Sequence, residues 1–319
     1  MSNYFFEVLR PGINTTFQDK GRFHMQHLGV TPGGCMDLKL FQIANALVRN
    51  ITNEGVLEFA YQGPLLKLIK GRTKIAITGN VIFQIIKINK EIIRGECNRT
   101  YNLEDGDQID ILSTKQSAYG YMAIEGGYDI KPFCESVSVL SRAQIGPNSG
   151  KKIKINDKIN IRIKRKNEKN FSASIISKNK NIVRVLEGSQ FHYFSKESQK
   201  DFFSKEYKIS NLTDRMGMRL EGVVMKNIVN TNIRSEGITK GAIQVPADGQ
   251  PIILLTDYPT IGGYPKIANI ISADYNLLIQ KTPGEKISFE LIKLHEAEQL
   301  YKEHLNSISE IIKNIKEIN

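Results

Sequence analysis

Two stretches of this chain, VIFQIIKINKEII at 81–93 and KKIKINDKINIRI at 151–163, alternate apolar with polar residues around a turn-forming pair, Asn89-Lys90 in the first and Asn156-Asp157 in the second. A period of two is what a half-buried strand requires, and a polar break inside it predicts a hairpin. Weaker echoes recur in EDGDQIDI (104–111), INDKINI (155–161) and TPGEKISFEL (282–291), each a polar turn leading into an alternating run. Such spacing predicts a mainly β protein of closed or sandwiched antiparallel sheet. Helical spacing is confined to three places. Asp37 can cap 38–50, where Leu38, Phe41, Ala44, Asn45 and Val48 share a face; 196–207 is a second short segment; and 291–318 carries a stripe of Leu294, Ala297, Leu300, Tyr301, Leu305, Ile308 and Ile312. That tail either packs on the second domain or meets a partner.

A single core usually stops growing near about 250–300 residues, so 319 residues predict two β-rich domains with few helices. Composition shifts inside one basic segment. The expected division is 1–165, a basic linker or hairpin at 166–181, a second domain at 182–290 and a helical tail at 291–319. Residues 151–180 hold eleven Lys or Arg against two acids, so nine of the net +11 charges sit there. This segment is rich in Asn and Ser, has few residues to pack and carries one aromatic, Phe171, which argues for a solvated connector or hairpin rather than a nucleic-acid groove with stacking aromatics.

Cys35, Cys97 and Cys134 never approach a paired spacing, so they are expected to be small buried thiols. His24 and His27 lack a third ligand at a recognisable spacing, and no metal is expected. No apolar run reaches the roughly 20 residues of a bilayer span, and residues 1–10 lack a secretory pattern. The expectation is a cytoplasmic protein without a membrane partner.

Four stretches concentrate functional groups. In 11–37, Thr15, Thr16, Gln18, Asp19 and Arg22 offer hydroxyls, an amide, a carboxylate and a guanidinium; they make either a binding loop or a loop in which Asp19 merely pairs with Arg22. TDRMGMRLEG (213–222) carries Asp214 and Arg215, with Arg219 and Glu221 reading as a surface charge ladder. GAIQVPADGQPIILLTD (241–257) sets Gln244 among apolar residues, where a buried amide is ordinarily a satisfied core group. DYPTIGGYPK (257–266) brings Asp257, Thr260, Gly262, Gly263, Tyr264 and Lys266 to the end of an apolar strand, with the glycine pair expected to supply backbone conformations closed to other residues. GPNSGKK (146–152) has too few residues between its glycines for a phosphate loop and reads as a turn.

Taken in order, TTFQDKGRFHMQHLGVTPGGCMD, ANALVRN, LEF, AITG, AIEGGYD, LTDRMGMRLEG, SEGITKGAIQVPADGQPIILLTD and TIGGYPKIANIISAD resemble, from about residue 8 to 290, the biotin-dependent carboxyltransferase family. That family includes the second subunit of allophanate-hydrolase-like pairs, an antagonist of a sporulation-kinase inhibitor and the C subunit of prokaryotic 5-oxoprolinase. The resemblance implies a cyclophilin-like β-barrel architecture and work beside a sister B subunit of related fold and a hydrolase-type A subunit. The implied activity is ATP-dependent opening of 5-oxo-L-proline to L-glutamate, with ATP bound by this chain or with a partner. The alternatives it implies are a urea-carboxylase type of transferase, which alone would call for biotin, and a regulatory antagonist. Lactam opening needs cations for phosphate and donors for an oxyanion, which Arg22, Arg215 and Lys266, and Thr16 and Tyr264, supply in type. Carboxyl transfer needs a base and donors, for which Asp214, Asp257 and Tyr264 qualify. His24 and Arg49 stand where the family commonly has glycine, and FCESVSVLSR (133–142) departs from its usual Gly-Ser-Arg-Ser-Thr wording.

Overall fold

The computed structural model describes residues 4–162, 169–175, 180–229 and 231–318. The chain divides into two compact units, Met1–Arg22 with Gly33–Ile176 and Ser307–Asn319, and Phe23–Pro32 with Ser177–Asn306.

In the first unit, a six-stranded sheet runs in the order Lys158–Asn160, Phe5–Arg10, Leu65–Ile69, Gln108–Thr114, Val81–Ile86, Ile92–Arg94. A seven-stranded sheet runs Thr16–Gln18, Val56–Ala60, Tyr119–Ile124, Thr73–Thr78, Arg99–Leu103, Asn170–Ser172, Lys316–Ile318. Phe6, Val8, Leu66 and Leu68 from one sheet meet Phe59, Ile75, Ile77 and Met122 from the other in a shared core. Burial explains the two kinds of strand wording. Leu65–Ile69 alternates because only one of its faces is covered, whereas Val56–Ala60 and Tyr119–Ile124 are buried at every position. Helix Leu38–Leu47 packs on Thr73–Thr78 and Tyr119–Ile124, and it starts where Asp37 accepts the Leu40 N–H at 3.1 Å.

The hairpin expected at 81–93 forms, with Lys90 in the left-handed region at φ 68°. That expected at 151–163 does not. Its turn exists, closed by Asp157, which accepts the Lys154 N–H at 2.7 Å, but Lys158–Asn160 pairs with Phe5–Glu7 rather than with 151–154. A turn word specifies a reversal, and the strand it releases pairs with whichever edge lies nearest. Of the segment 166–181 expected to be a linker, 166–168 and 176–179 lie outside the described residues, while Asn170–Ser172 is a strand with Phe171 buried beneath the Arg49 guanidinium. Among the cysteines, Cys35 is buried and Cys97 half-buried; Cys134 is exposed because it forms, with Glu135, a left-handed turn.

The second unit is a closed seven-stranded barrel, ordered Ile182–Glu187, Lys266–Ile270, Ala242–Gln244, Ile252–Leu254, Gly217–Glu221, Tyr207–Thr213, Lys286–Leu291. It is sealed by a parallel pairing of Ile182–Val185 with Ser288–Leu291. Closure leaves no open edge. A separate two-stranded ribbon pairs Glu236–Gly237 with Ile261–Gly262. Helix Lys196–Ser204 is capped by Ser195 and stacks Phe202 on Phe289 at 4.5 Å. Helix Ser272–Leu278 is not signalled by its wording; its Asp274 is fastened by Arg184 through Nε at 2.9 Å and Nη2 at 2.5 Å. The tail helix spans Leu294–Lys313, not 291–318, because Lys316–Ile318 becomes an edge strand of the first unit's sheet. Its Ala297 packs with Ile271 and Ile292, while Tyr301 and Leu305 are exposed. Among the described residues no helix is long and apolar enough to cross a membrane.

Candidate functional site

The barrel strands set Gln244 directly across from Lys266, so the two side chains share a face, and both residues are at least nine-tenths buried, 5% and 4% exposed. The Lys266 ammonium lies against the Glu236 carboxylate, which projects from the ribbon with its side chain 43% exposed. Gln190 Nε2 donates to the same Glu236 oxygen at 3.0 Å, and its Oε1 accepts the Lys266 N–H at 3.2 Å. These partners, Lys266 first and Gln190 next, hold the Glu236 carboxyl below the usual glutamate range.

Among the described residues, Gln244 Nε2 has no hydrogen-bond partner. A buried donor left unmade costs about 1–3 kcal/mol, so the expectation of a satisfied core amide is corrected here. Glycine is required at 262 for space. A Cβ there would lie 2.5 Å from Gln244 Nε2 and 3.1 Å from Ile238, and at Gly263 it would meet the Ile233 carbonyl at 3.3 Å. Neither glycine has positive φ, so the expected unusual backbone is absent. Gly188 serves the same cluster, since a Cβ on it would stand 2.2 Å from the Lys266 carbonyl oxygen.

Arg215 and Asp257 form a separate buried pair. The guanidinium donates from Nε at 2.8 Å and Nη2 at 2.9 Å, and the Asp257 N–H donates to the Arg215 carbonyl at 2.8 Å. This double fork fixes the turn between Tyr207–Thr213 and Gly217–Glu221 to the end of Ile252–Leu254. Asp214 is exposed within that turn, its carboxylate accepting the Met216 N–H at 2.7 Å and the Gly217 N–H at 3.2 Å. Arg219 pairs with Asp248 on the surface. Thr260 contributes its carbonyl to the Ile238 N–H at 3.3 Å, and Tyr264 is 40% exposed. Beside Asp257, buried Tyr258 is hydrogen-bonded to Gln26, and desolvation pushes its phenol up.

In the first unit the expected group becomes a lock. Asp19 accepts from the Gly21 N–H at 2.8 Å, Ser136 Oγ at 2.7 Å and the Val137 N–H at 2.8 Å. Gln18 donates to Thr16 Oγ1 at 2.9 Å and the Val139 carbonyl at 3.0 Å, and accepts from Ser138 Oγ at 2.6 Å. Arg22 donates to the Ser138 carbonyl. Buried Thr15 has its Oγ1 without a hydrogen-bond partner among the described residues, while its carbonyl accepts the Ile153 N–H at 3.1 Å. The bonding capacity of Gln18 and Asp19 is thus directed at 136–139, the stretch in which this chain departs from the family wording.

The structure therefore joins Gln244, Gly262 and Lys266, and separately Arg215 with Asp257. It adds Glu236, Gln190, Ser136 and Ser138, which residue-type reasoning missed. Glu236 carried a signal, an acid before glycine inside a quoted family word; Gln190 carried none, because only the chain's approach to the Lys266 backbone brings it in.

A barrel that gathers a buried amide and ammonium with a partly exposed carboxylate beside a glycine ribbon is the candidate site of this chain. The chain belongs to the family described as carboxyltransferase domain, subdomain A and B, whose model matches residues 28–291. It is 29% identical over 310 residues to the C subunit of 5-oxoprolinase of Escherichia coli K12, covering 94% of this chain and 97% of that protein. It is likewise 29% identical over 313 residues to the C subunit of 5-oxoprolinase of Haemophilus influenzae, covering 98% and 99%. Among solved structures, urea amidolyase of K. lactis superposes with a TM-score of 0.86 at 27% identity over 96% of this chain. The chain spans 20% of that much longer protein.

Proposed function

We propose that this chain is the C-type subunit of a 5-oxoprolinase and contributes to ATP-dependent hydrolysis of 5-oxo-L-proline to L-glutamate, beside a sister subunit of related fold and a hydrolase-type subunit. The observation that carries this reading is the end-to-end similarity to two proteins of that name. Amide resonance protects the lactam carbonyl, and phosphorylation of its oxygen removes that protection. The cations expected to meet phosphate do not fit that task. Arg215 is forked on Asp257 and Lys266 faces Glu236, so a polyphosphate would meet a carboxylate beside each of these two, and Arg22, 1% exposed, donates to the Ser138 carbonyl. We therefore assign ATP to a partner and substrate positioning to this chain.

The likeness to urea amidolyase leaves a second, less favoured reading, a biotin-dependent carboxyltransferase subunit at which carboxybiotin donates CO₂ to urea. One reconstitution separates the two. The chain alone is expected to release no glutamate from 5-oxoproline and ATP, and the complex with both partners is expected to release it. Release by the chain alone contradicts its place as one subunit of several. Inert 5-oxoproline together with biotin-dependent carboxylation of urea replaces this reading with the second, and binding to a kinase inhibitor without turnover replaces it with a regulatory one.

A further inference from the structure

We infer that Gln244, Lys266 and Glu236 form a subsite that reads one edge of a cyclic amide, the carbonyl oxygen taking the Gln244 and Lys266 donors and the adjacent N–H being accepted by Glu236. The identity of the lactam, 5-oxoproline, rests on the function proposed above; the subsite itself rests on geometry. Glu236 lies opposite Gly262 in the ribbon, and side chains of directly opposed residues project to the same face. The missing side chain of Gly262 points at Gln244 Nε2, so Glu236 and Gln244 address the same space. Lys266 closes the arrangement, opposed to Gln244 in the barrel and ion-paired with Glu236. Among the described residues, Lys266 Nζ has no hydrogen bond besides that pairing, and Gln244 Nε2 has none. The partly exposed Glu236 marks the side open to solvent.

The sign of these groups selects the ligand. At this edge a carboxylate or phosphate would satisfy Gln244 and Lys266 but stand against Glu236, and an amine would satisfy Glu236 but leave Gln244 unpaired; the carboxylate of 5-oxoproline, on another ring carbon than the carbonyl, is not the group read here. An ordinary trans amide points its C=O and N–H in opposite directions. A lactam, held cis by its ring, presents both on one edge, as this donor and acceptor set requires.

The test uses the full-length chain and four probes, 5-oxoproline, 2-pyrrolidone and the N-methyl derivative of each, with binding followed by ligand-observed NMR. Both parent lactams are expected to bind. N-methylation is expected to weaken each at least tenfold by removing the donor to Glu236. Gln244→Ala is expected to weaken both parent lactams at least tenfold, and Glu236→Ala to weaken the uncharged 2-pyrrolidone at least tenfold while, by uncovering Lys266, raising affinity for acetate. Thermal melts of both variants confirm folding; should Gln244→Ala fail to fold, the exposed Glu236 variant and the N-methyl probes decide. Absence of binding by both lactams, or N-methyl probes binding as tightly as their parents, overturns the subsite. Lactam binding with these preferences but no glutamate release by the assembled complex leaves the subsite standing and removes the oxoprolinase reading. Glutamate release with KM for 5-oxoproline unchanged in both variants does the reverse.

Discussion

At the scale of single residues, Arg215 and Asp257, which read from their motifs as candidate chemistry, are paired with each other in the fold. Both side chains of this pair are nearly buried, 10% and 8% exposed, and each satisfies the other through two hydrogen bonds. Removing one partner leaves an uncompensated buried charge, so Arg215→Ala is expected to destabilise the chain by about 3–5 kcal/mol in urea unfolding. A loss below about 1 kcal/mol would mean that the pair does not hold the turn. The words DRMG and TD were legible as charged and close-set, but their mutual pairing was not, because 42 positions separate the partners. Gly262 was legible as a required glycine for the wrong physical reason, space rather than backbone conformation. His24 and Arg49, noted as departures from a glycine pattern, both have positive φ, 65° and 57°. The family wording had encoded a backbone demand that this chain meets with side chains, and Arg49 gains a partner in exchange, stacking 4.3 Å from the Phe171 ring centroid.

At the scale of elements, the ribbon Glu236–Gly237 with Ile261–Gly262 is held to the barrel by a titratable contact. Lys266, then Gln190, depress the Glu236 carboxyl. A depressed carboxyl contributes stability that is fully present above its unfolded value, about 4.3, and is lost as pH falls through the lower folded value. The ribbon's attachment is therefore expected to hold across neutral and mildly acid pH and to loosen only below the ordinary glutamate range. An NMR titration of the Glu236 carboxyl should show a midpoint below that of a free glutamate, returning upward in Lys266→Met; a midpoint at or above the free value contradicts the pair. Alternation made the strands of the first unit legible where one face is exposed, as in Leu65–Ile69 and Val81–Ile86. Pairing partners were less so. The ribbon strands are two residues long, too short to carry any period, and were invisible for that reason.

At the scale of the whole molecule, a boundary drawn by composition divides the chain differently from its folding. Phe23–Pro32 clusters with the second unit although it lies early in the sequence, and Ser307–Asn319 clusters with the first although it lies last. Hydrophobic pattern and charge report local surroundings, and neither records which distant edge a segment will join. Cutting the chain between 176 and 177 therefore gives each half a segment that belongs to the other. The fragment 1–176 loses Lys316–Ile318, which pairs with Asn170–Ser172, and so exposes that strand as an unprotected edge. The fragment 177–319 loses Gln26, the partner of buried Tyr258. Losing two or three ladder hydrogen bonds at about 1 kcal/mol each, with melting shifting roughly 2–4 °C per kcal/mol in units of this size, should lower the melting of fragment 1–176 by about 5–10 °C relative to the intact chain. Re-attaching 307–319 behind residue 176 through a flexible linker should recover most of that loss. A fragment 1–176 that melts cooperatively at the temperature of the intact chain would show that the terminal strand contributes nothing to the sheet it completes.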